Sequence, residues 1–160
     1  MRAVVRGRWL VIVVALCACV AFAMSVQGGR WWAIGDSTEI GPFGAKRCFD
    51  DGCVPTGLNW LGAGERWMRI GMGTWAAGLI SAFVLVVMSA ALAAKRIPKL
   101  AAKTVLVSVI TAGLAGGLFV MQFPRAEFAA AELSHGAFLF IAAIALGAAS
   151  AILVLRAKPA

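Results

Sequence analysis

Four stretches without a charged residue or histidine divide this chain, and each is long enough to cross a membrane. They contain 21, 25, 21 and 20 residues and are rich in Val, Ile, Leu, Ala and Phe. An α-helix rises 1.5 Å per residue, so about 20 residues cross the roughly 30 Å hydrocarbon core. Because backbone polar groups in lipid must be satisfied within the segment, we expect each stretch to be helical. The predicted helices are about 9–29, 70–94, 104–124 and 136–155.

The sequence therefore predicts an all-α transmembrane protein, with one domain over residues 1–160. We expect its four helices to form an antiparallel membrane bundle. The chain is 62% hydrophobic and 14% charged, whereas a soluble domain has about 25% charged residues. A long first external loop is predicted at 30–69, where turn-forming residues leave room for one small hairpin. A short second external loop is expected at 125–135.

The charged residues sort by side of the membrane. With the N-terminus inside, the cytoplasmic segments hold nine basic residues and no acidic one, whereas the external segments hold six basic and all seven acidic residues. Lysine and arginine enriched in short loops mark the cytoplasmic side, so both termini are expected there. The net charge of +8 is thereby a signal of topology, and no nucleic-acid partner is expected.

The first predicted helix has an alternative interpretation as a cleaved leader. Arg8, an apolar run and Ala21-Phe22-Ala23 have the outline of a signal peptide, and the residues around Cys19 loosely resemble a lipoprotein box. The apolar run continues past both sites to Val26. We therefore expect the helix to be retained.

Two cysteines in the first external loop are expected to form a disulfide. Cys48 and Cys53 flank the turn-forming Asp50-Asp51-Gly52, which allows the chain to fold back, and the outside of a cytoplasmic membrane is oxidising. The alternative is a redox-active pair, although such pairs usually have a C-x-x-C spacing. Cys17 and Cys19 lie within the first helix, where we expect them to be small apolar fillers.

Tryptophans cluster near the outer ends of the first two helices. Trp31 and Trp32 follow the first helix, and Trp60 lies within the loop. Tryptophan is common at membrane interfaces, so anchoring is one interpretation. It is also enriched among binding hot spots, which makes Trp31, Trp32 and Trp60 candidate partner-binding residues.

Small residues recur at helical spacing in the predicted spans. Gly113 and Gly117 are four apart, and Gly147 lies between Ala143 and Ala151. Such stripes allow helices to approach closely in lipid. We expect Gly113, Gly117 and Gly147 to be helix-packing positions; a contact with another membrane protein through the lipid-facing stripes is the alternative.

No catalytic, metal or cofactor site is predicted. Glu132 and His135 have the Glu-x-x-His spacing of di-metal sites in helix bundles, but His135 is the only histidine and no second pair exists. We interpret these residues as an interfacial helix start with Ser134 as its cap. No ionisable residue lies within the four stretches, where pumps and transporters usually keep theirs.

The layout resembles the claudin and peripheral-myelin-protein group of four-span proteins. That group has a long first external loop with a tryptophan, a Gly-Leu-Trp motif and two cysteines, and an arginine near the start of the second helix. Trp31 or Trp32, Gly57-Leu58-Asn59-Trp60, Cys48, Cys53 and Arg69 look similar, although the Gly-Leu-Asn-Trp segment follows the cysteines here. The resemblance implies a non-enzymatic protein whose external loop makes contacts.

A second similarity is to the four-helix membrane thiol oxidases that reduce quinone. Those proteins also need a cysteine pair in the second external loop, and residues 125–135 contain none. A thiol–disulfide or quinone-linked redox protein using Cys48 and Cys53 is therefore the alternative functional hypothesis.

Our leading hypothesis is an integral membrane protein that acts without enzymatic activity as an interaction or assembly subunit. Its partners would be the lipid bilayer and either another protein or further copies of the chain. Polar and aromatic residues on a loop with a rigid support are the usual place for recognition, so the contact is expected in the external loop. The Ala-, Val- and Gly-rich composition is typical of a bacterial inner membrane.

Overall fold

The structure is a computed structural model in which four long helices account for most of the chain. It describes residues 2–27, 30–35, 37–58, 64–125 and 128–157, with side chains from Gly7 onward. The helices are α1 (Arg2–Gln27), α2 (Gly64–Ala93), α3 (Lys99–Met121) and α4 (His135–Arg156). The prediction of four helices long and apolar enough to cross a membrane is confirmed.

The outward surfaces of these helices are apolar. Between 33% and 39% of each apolar window is buried inside the protein, so most of each window faces outward. Large apolar side chains dominate that outward surface, including Leu10, Val20, Ile80, Phe83, Val107, Ile110, Leu114, Phe138 and Ile141. A soluble helix would place charged and polar residues there. The apolar exterior instead fits a lipid environment.

The helices pack in a ring in which each has two main neighbours. The pairs in contact are α1 with α2, α2 with α3, α3 with α4, and α4 with α1. A short turn joins α2 to α3, with Lys95 in the left-handed region at φ 61°. Pro98 precedes the first residue of α3, as expected for a residue that interrupts a continuous helix.

Four buried hydroxyls within the bundle are satisfied by their own helices, whereas the Ser25 hydroxyl of α1 donates to the Gly136 carbonyl of α4 at 2.9 Å. Thr74, Ser81 and Ser89 each donate to the carbonyl four residues earlier, at 2.8–2.9 Å, and Ser150 donates to the carbonyl three residues earlier, at 2.8 Å. Unpaired buried polar groups would be costly in lipid. Together these bonds remove that cost.

A five-stranded antiparallel sheet lies at one end of the bundle, hereafter the sheet end. The first loop contributes β1 (Trp32–Ile34), β2 (Thr38–Ile40), β3 (Ala45–Phe49) and β4 (Gly52–Thr56), and the second loop contributes β5 (Ala131–Leu133). The strand order is β4-β3-β2-β1-β5. The turn residues of the first loop predicted room for one hairpin, whereas the structure places four strands there and pairs one of them, β1, with β5 of the second loop.

One face of the sheet packs on the bundle. Trp32, Ile40 and Ala45 lie in one cross-strand row, and all three are buried. Side chains alternate between faces along a strand, so Glu39 and Lys46 lie on the opposite face. Backbone bonds from Ser134 to Trp31 and from Gly136 to Arg30, each 2.8 Å, join the start of α4 to the chain leading into β1.

Candidate contact surface

The β3–β4 hairpin extends beyond the part of the sheet that the helices cover. No residue from 46 to 55 is buried. Phe49 and Val54 are 64% and 53% exposed. Arg47 pairs with Val54 in register, and Phe49 is two residues further along β3, so these three side chains share one face. Ala45, which is buried, lies on this same face nearer the helices, whereas Phe49 and Val54 are exposed on it.

A disulfide closes this hairpin. Cys48 and Cys53 are direct partners across β3 and β4, and their sulfurs are bonded at 2.04 Å. They lie on the face opposite to Phe49. Gly52 has φ +132°, a conformation that side chains rarely adopt, which explains a glycine after Asp50-Asp51. The predicted cysteine pair is therefore joined in the structure.

The structure places Trp31 and Trp32 in the core. They are 1% and 2% exposed. The Trp31 indole nitrogen donates to the Ser25 carbonyl at 3.0 Å, and the Trp32 ring stacks on Phe123 at 4.3 Å between centroids. Their described contacts are internal, so they tie the first loop to the helices. Trp60, the third candidate, lies outside the described residues.

An aromatic layer joins the sheet to three helices. Trp67 of α2 stacks on Phe119 of α3 at 4.6 Å, and its indole nitrogen donates to the Phe119 carbonyl at 3.0 Å. Phe140 of α4 lies 4.9 Å from the Trp31 ring. Aromatic pairs of this kind contribute about 0.5–1.5 kcal/mol beyond their area burial. The layer gives the sheet a rigid base.

The three glycines singled out in the sequence have different surroundings. A Cβ on Gly147 would lie 3.2 Å from Val109 and near Leu85 and Phe22, so Gly147 lies where all four helices meet. A Cβ on Gly113 would be in ordinary contact with Ile144, at 3.5 Å. Gly117 is exposed, with no atom within 4 Å of such a Cβ. The structure thus brings two of them into the bundle and leaves Gly117 on its surface.

Other glycines make the closest approaches. At four of them an added Cβ would lie within 2.7 Å of a neighbouring atom. At Gly71 and Gly136 this atom is a carbonyl oxygen, of Pro42 at 2.5 Å and of Arg30 at 2.6 Å respectively. At Gly78 and Gly116 it belongs to a side chain, of Val26 at 2.7 Å and of Phe140 at 2.6 Å. Spacing alone could not separate these glycines from Gly117. Gly136 could have been noticed as the second residue of α4, next to the sheet, but nothing in the sequence separates Gly116 from its neighbour Gly117.

A charged group lies where α1 leads into the sheet. The guanidinium of Arg30 forms a salt bridge with Glu39. The hydrogen bond from Arg30 holds the pKa of Glu39 below its ordinary value. Partial burial opposes this shift, and electrostatic interactions with Arg30, Lys46 and His135 add to it. The pair holds the chain after α1 against β2.

A half-open cleft of about 450 Å³ lies beside this charged group. The end of α1, the β2–β3 turn and the end of β4 form its walls, with Val26, Phe43 and Thr56 among the lining residues. Among the described residues that line it, Glu39 and Lys46 carry the charge. The cleft is therefore mainly apolar, with one polar side.

Glu132 and His135 do not share a helical face. Glu132 lies in β5, and His135 is the first residue of α4, so the helical spacing predicted from the sequence does not apply. Ser134 precedes α4 but makes no side-chain capping bond; its hydroxyl lies 3.4 Å from the His135 ring. Across the described ranges, no group of three or more His, Cys, Asp or Glu side chains is placed to hold a metal ion.

These features define an integral membrane protein whose four apolar helices support a small sheet. Comparisons with protein-family models, with curated proteins and with solved structures give no match.

Proposed function

We propose that this protein is a non-enzymatic interaction or assembly subunit of a membrane complex, and that its contact surface is the β3–β4 hairpin. The single observation that supports this role is the exposure of the apolar side chains of Phe49 and Val54 on one face of the hairpin. The partner would be another protein or a second copy of this chain. Trp60 stays a sequence-based candidate for the same surface.

The composition of this face fits a recognition surface. Protein interfaces combine an apolar centre with a polar rim. Phe49 and Val54 supply apolar area, and Arg47, Asp50 and Asp51 supply charges around it. The disulfide fixes the hairpin before binding, which lowers the entropy lost on association. An exposed, preorganised hairpin on a rigid base is well suited to specific contact.

The layout agrees with the proposed relationship to the claudin and peripheral-myelin-protein group. A long loop follows the first helix, contains two bonded cysteines and a buried tryptophan, and is followed later by a short second loop. We propose on this basis that the chain is a distant four-span member or analogue of that group.

We further propose a bacterial inner-membrane location with both termini in the cytoplasm and the sheet outside. The support is the distribution of charge: nine basic and no acidic residues in the segments assigned to the inside. Retention of α1 agrees with its packing, since Ala15, Ala18 and Phe22 are fully buried and removal of α1 would uncover their neighbours.

Site-specific photo-crosslinking tests the contact surface. A benzophenone amino acid replaces Phe49 in one variant and lipid-facing Phe83, 68% exposed, in another. We expect position 49 to give a protein adduct of defined mass in native membranes. An adduct of twice the 16.7 kDa chain mass identifies a second copy, and another mass identifies a different protein.

Two further measurements make this result specific. Val54→Asp in the position-49 variant should abolish the adduct, because a carboxylate at the centre of the apolar face opposes burial. Protein adducts only from position 83 would contradict the hairpin surface and would place the contact within the bilayer.

The redox hypothesis has one observation in its favour, namely that Cys53 is exposed at the hairpin. An incoming thiolate could attack its sulfur, forming a mixed disulfide and releasing the Cys48 thiolate. Reversible cycling of the pair with quinone or a thioredoxin-like dithiol as electron acceptor or donor would support this function. A Cys48→Ser, Cys53→Ser variant that still forms the position-49 adduct would favour the interaction role.

A further inference from the structure

The turn between β2 and β3, residues 41–44, packs directly on α2. Pro42 is fully buried. Its carbonyl oxygen lies only 2.5 Å from the position that a Cβ on Gly71 would occupy. A backbone bond of 2.8 Å from Gly41 to Gly44 closes the turn. Because Gly71 lacks a side chain, the turn can rest against the helix backbone. The position of the turn along α2 is therefore fixed.

Phe43 projects from this turn onto the outward side of α2. Its ring centroid lies 4.9 Å from that of Trp75, yet Phe43 remains 59% exposed. Met72, on the same helix, is 57% exposed. Met72 and Phe83 are 11 positions apart, about three helical turns, so they lie on the same side of α2. Phe43 contacts Trp75, three residues from Met72, and it also lines the cleft that contains Glu39 and Lys46. The surface beside Phe43 is therefore apolar on its α2 side.

The contact with Trp75 lies inside the charge-free part of α2. Arg69 is the last charged residue before Lys95, and Trp75 follows Arg69 by six positions, which is about 9 Å along a helix. The turn itself, Gly41-Pro42-Phe43-Gly44, contains no charge. Tryptophan is favoured at the membrane–water interface, and phenylalanine is favourable within lipid. The depth of the turn along α2 and its uncharged composition therefore both fit a position at the membrane interface.

We propose that Phe43 inserts into the lipid at the membrane interface, so that the β2–β3 turn anchors the sheet to the bilayer. The lipid bilayer is the partner of this surface. The tip of the β3–β4 hairpin has different surroundings. It is separated from the β2–β3 turn by the five extended residues of β3, each about 3.3 Å long. At the tip, Phe49 is followed by the charged residues Asp50 and Asp51. One edge of the loop thereby contacts lipid while the tip stays in water.

Fluorine NMR of the full-length protein in phospholipid vesicles tests this proposal. 4-Fluorophenylalanine, which is nearly isosteric with phenylalanine, is introduced singly at position 43, 49 or 83. A water-soluble gadolinium chelate, present on both sides of the membrane, broadens resonances exposed to water. Phosphatidylcholine with a nitroxide near the start of its acyl chain broadens resonances close to lipid.

We expect position 43 to behave like position 83, with strong broadening by the nitroxide lipid and little by the chelate. Position 49 should show the reverse. All three phenylalanines are at least 59% exposed in the protein, so exposure alone predicts no difference between them. A resonance at position 43 that the chelate broadens clearly more strongly than that at position 83 would overturn the proposal. This outcome is independent of whether the hairpin tip binds a protein.

Discussion

At the scale of single residues, Gly116 and Gly117 are neighbours in α3 with different surroundings. Gly116 is buried and lies against Phe140 and Trp31, whereas Gly117 is exposed and has open space around it. Phe140 is itself packed against Trp31 and Phe22, so its ring has little room to move. A methyl group would therefore have opposite consequences at the two positions.

We predict that Gly116→Ala lowers the free energy of unfolding by about 1–3 kcal/mol, the usual cost of overpacking. Gly117→Ala should cause no loss, because alanine is the better helix former and meets no neighbour. Unfolding of both variants by sodium dodecyl sulfate in mixed micelles checks the prediction. Equal stability of the two variants would contradict the assigned faces of α3.

The Arg30–Glu39 pair makes a prediction about pH. The pKa of Glu39 is lower in the folded protein than its ordinary value, so its contribution to stability is present above the ordinary carboxyl pKa and is lost as the pH falls through the folded pKa. Arg30 is partly exposed, so we expect a contribution of about 1 kcal/mol or less. The difference in thermal midpoint between wild type and Glu39→Gln should be largest near neutral pH and should close on acidification.

Glu65 supplies the matched control. It also pairs with an arginine, Arg69, but both side chains are 79% exposed, and exposed pairs contribute little. Glu65→Gln should therefore leave the thermal midpoint nearly unchanged at every pH. If the difference in thermal midpoint between wild type and Glu39→Gln does not change with pH, the substitution destabilises the protein through packing and not through charge.

At this scale, the sequence indicated which residues matter more reliably than whether their side chains face the core or the surface. The tryptophans after α1 stood out by type, but only the structure shows that Trp31 and Trp32 point into the core. Gly117 has the same small-residue spacing as Gly113, yet a helix with apolar residues on all sides gives no amphipathic pattern from which to tell its inner face. Uniform hydropathy conceals orientation.

At the scale of elements, the disulfide belongs to the β3–β4 hairpin alone. Closing so short a loop stabilises the folded hairpin by about 2 kcal/mol in the loop-entropy estimate. We predict that the Cys48→Ser, Cys53→Ser variant exchanges its amide hydrogens faster across 45–56, while α2 and α4 keep wild-type protection. Hydrogen exchange followed by mass spectrometry measures this difference. Loss of protection throughout the helices would instead make the hairpin part of the global folding unit.

Thiol labelling gives a direct test of the bond. In a Cys17→Ala, Cys19→Ala background, we expect no reaction with maleimide before reduction and two labels per chain afterwards. Two labels without reductant would show that the bridge is absent from the mature protein.

The helices could be predicted from the sequence because charge is expensive in lipid, and its absence therefore marks the spans. Their ends could not: α1 begins at Arg2 and α2 at Gly64, because a helix continues past the hydrocarbon core where arginine and lysine favour it. The strands were harder still. They have three to five residues, too few for a clear alternation, and Trp32 pairs with Leu133 from a distant part of the sequence.

At the scale of the whole molecule, the sheet closes one end of the bundle by joining its two loops. β1 pairs with β2 on one side and β5 on the other, so the ends of α1 and α4 are held together. The aromatic layer beneath the sheet adds α2 and α3. The two loops must therefore lie on the same side of any membrane that the helices cross.

This arrangement, together with the charge distribution, predicts the topology. Alkaline phosphatase, active only outside, should be active when fused near Asp51, and green fluorescent protein should fluoresce when fused at Lys158 or within 95–103. The turn between α2 and α3 lies at the end of the bundle opposite the sheet, so the Asp51 and 95–103 fusions must report opposite sides whatever the orientation.

The basic residues decide which side is cytoplasmic, because each lysine or arginine in a short segment favours the cytoplasm. Replacing Lys95, Arg96, Lys99 and Lys103 by glutamine should weaken this preference and give mixed signals. A cytoplasmic signal from the Asp51 fusion of the unaltered chain would reverse the orientation and place the hairpin, with its disulfide, in a reducing compartment.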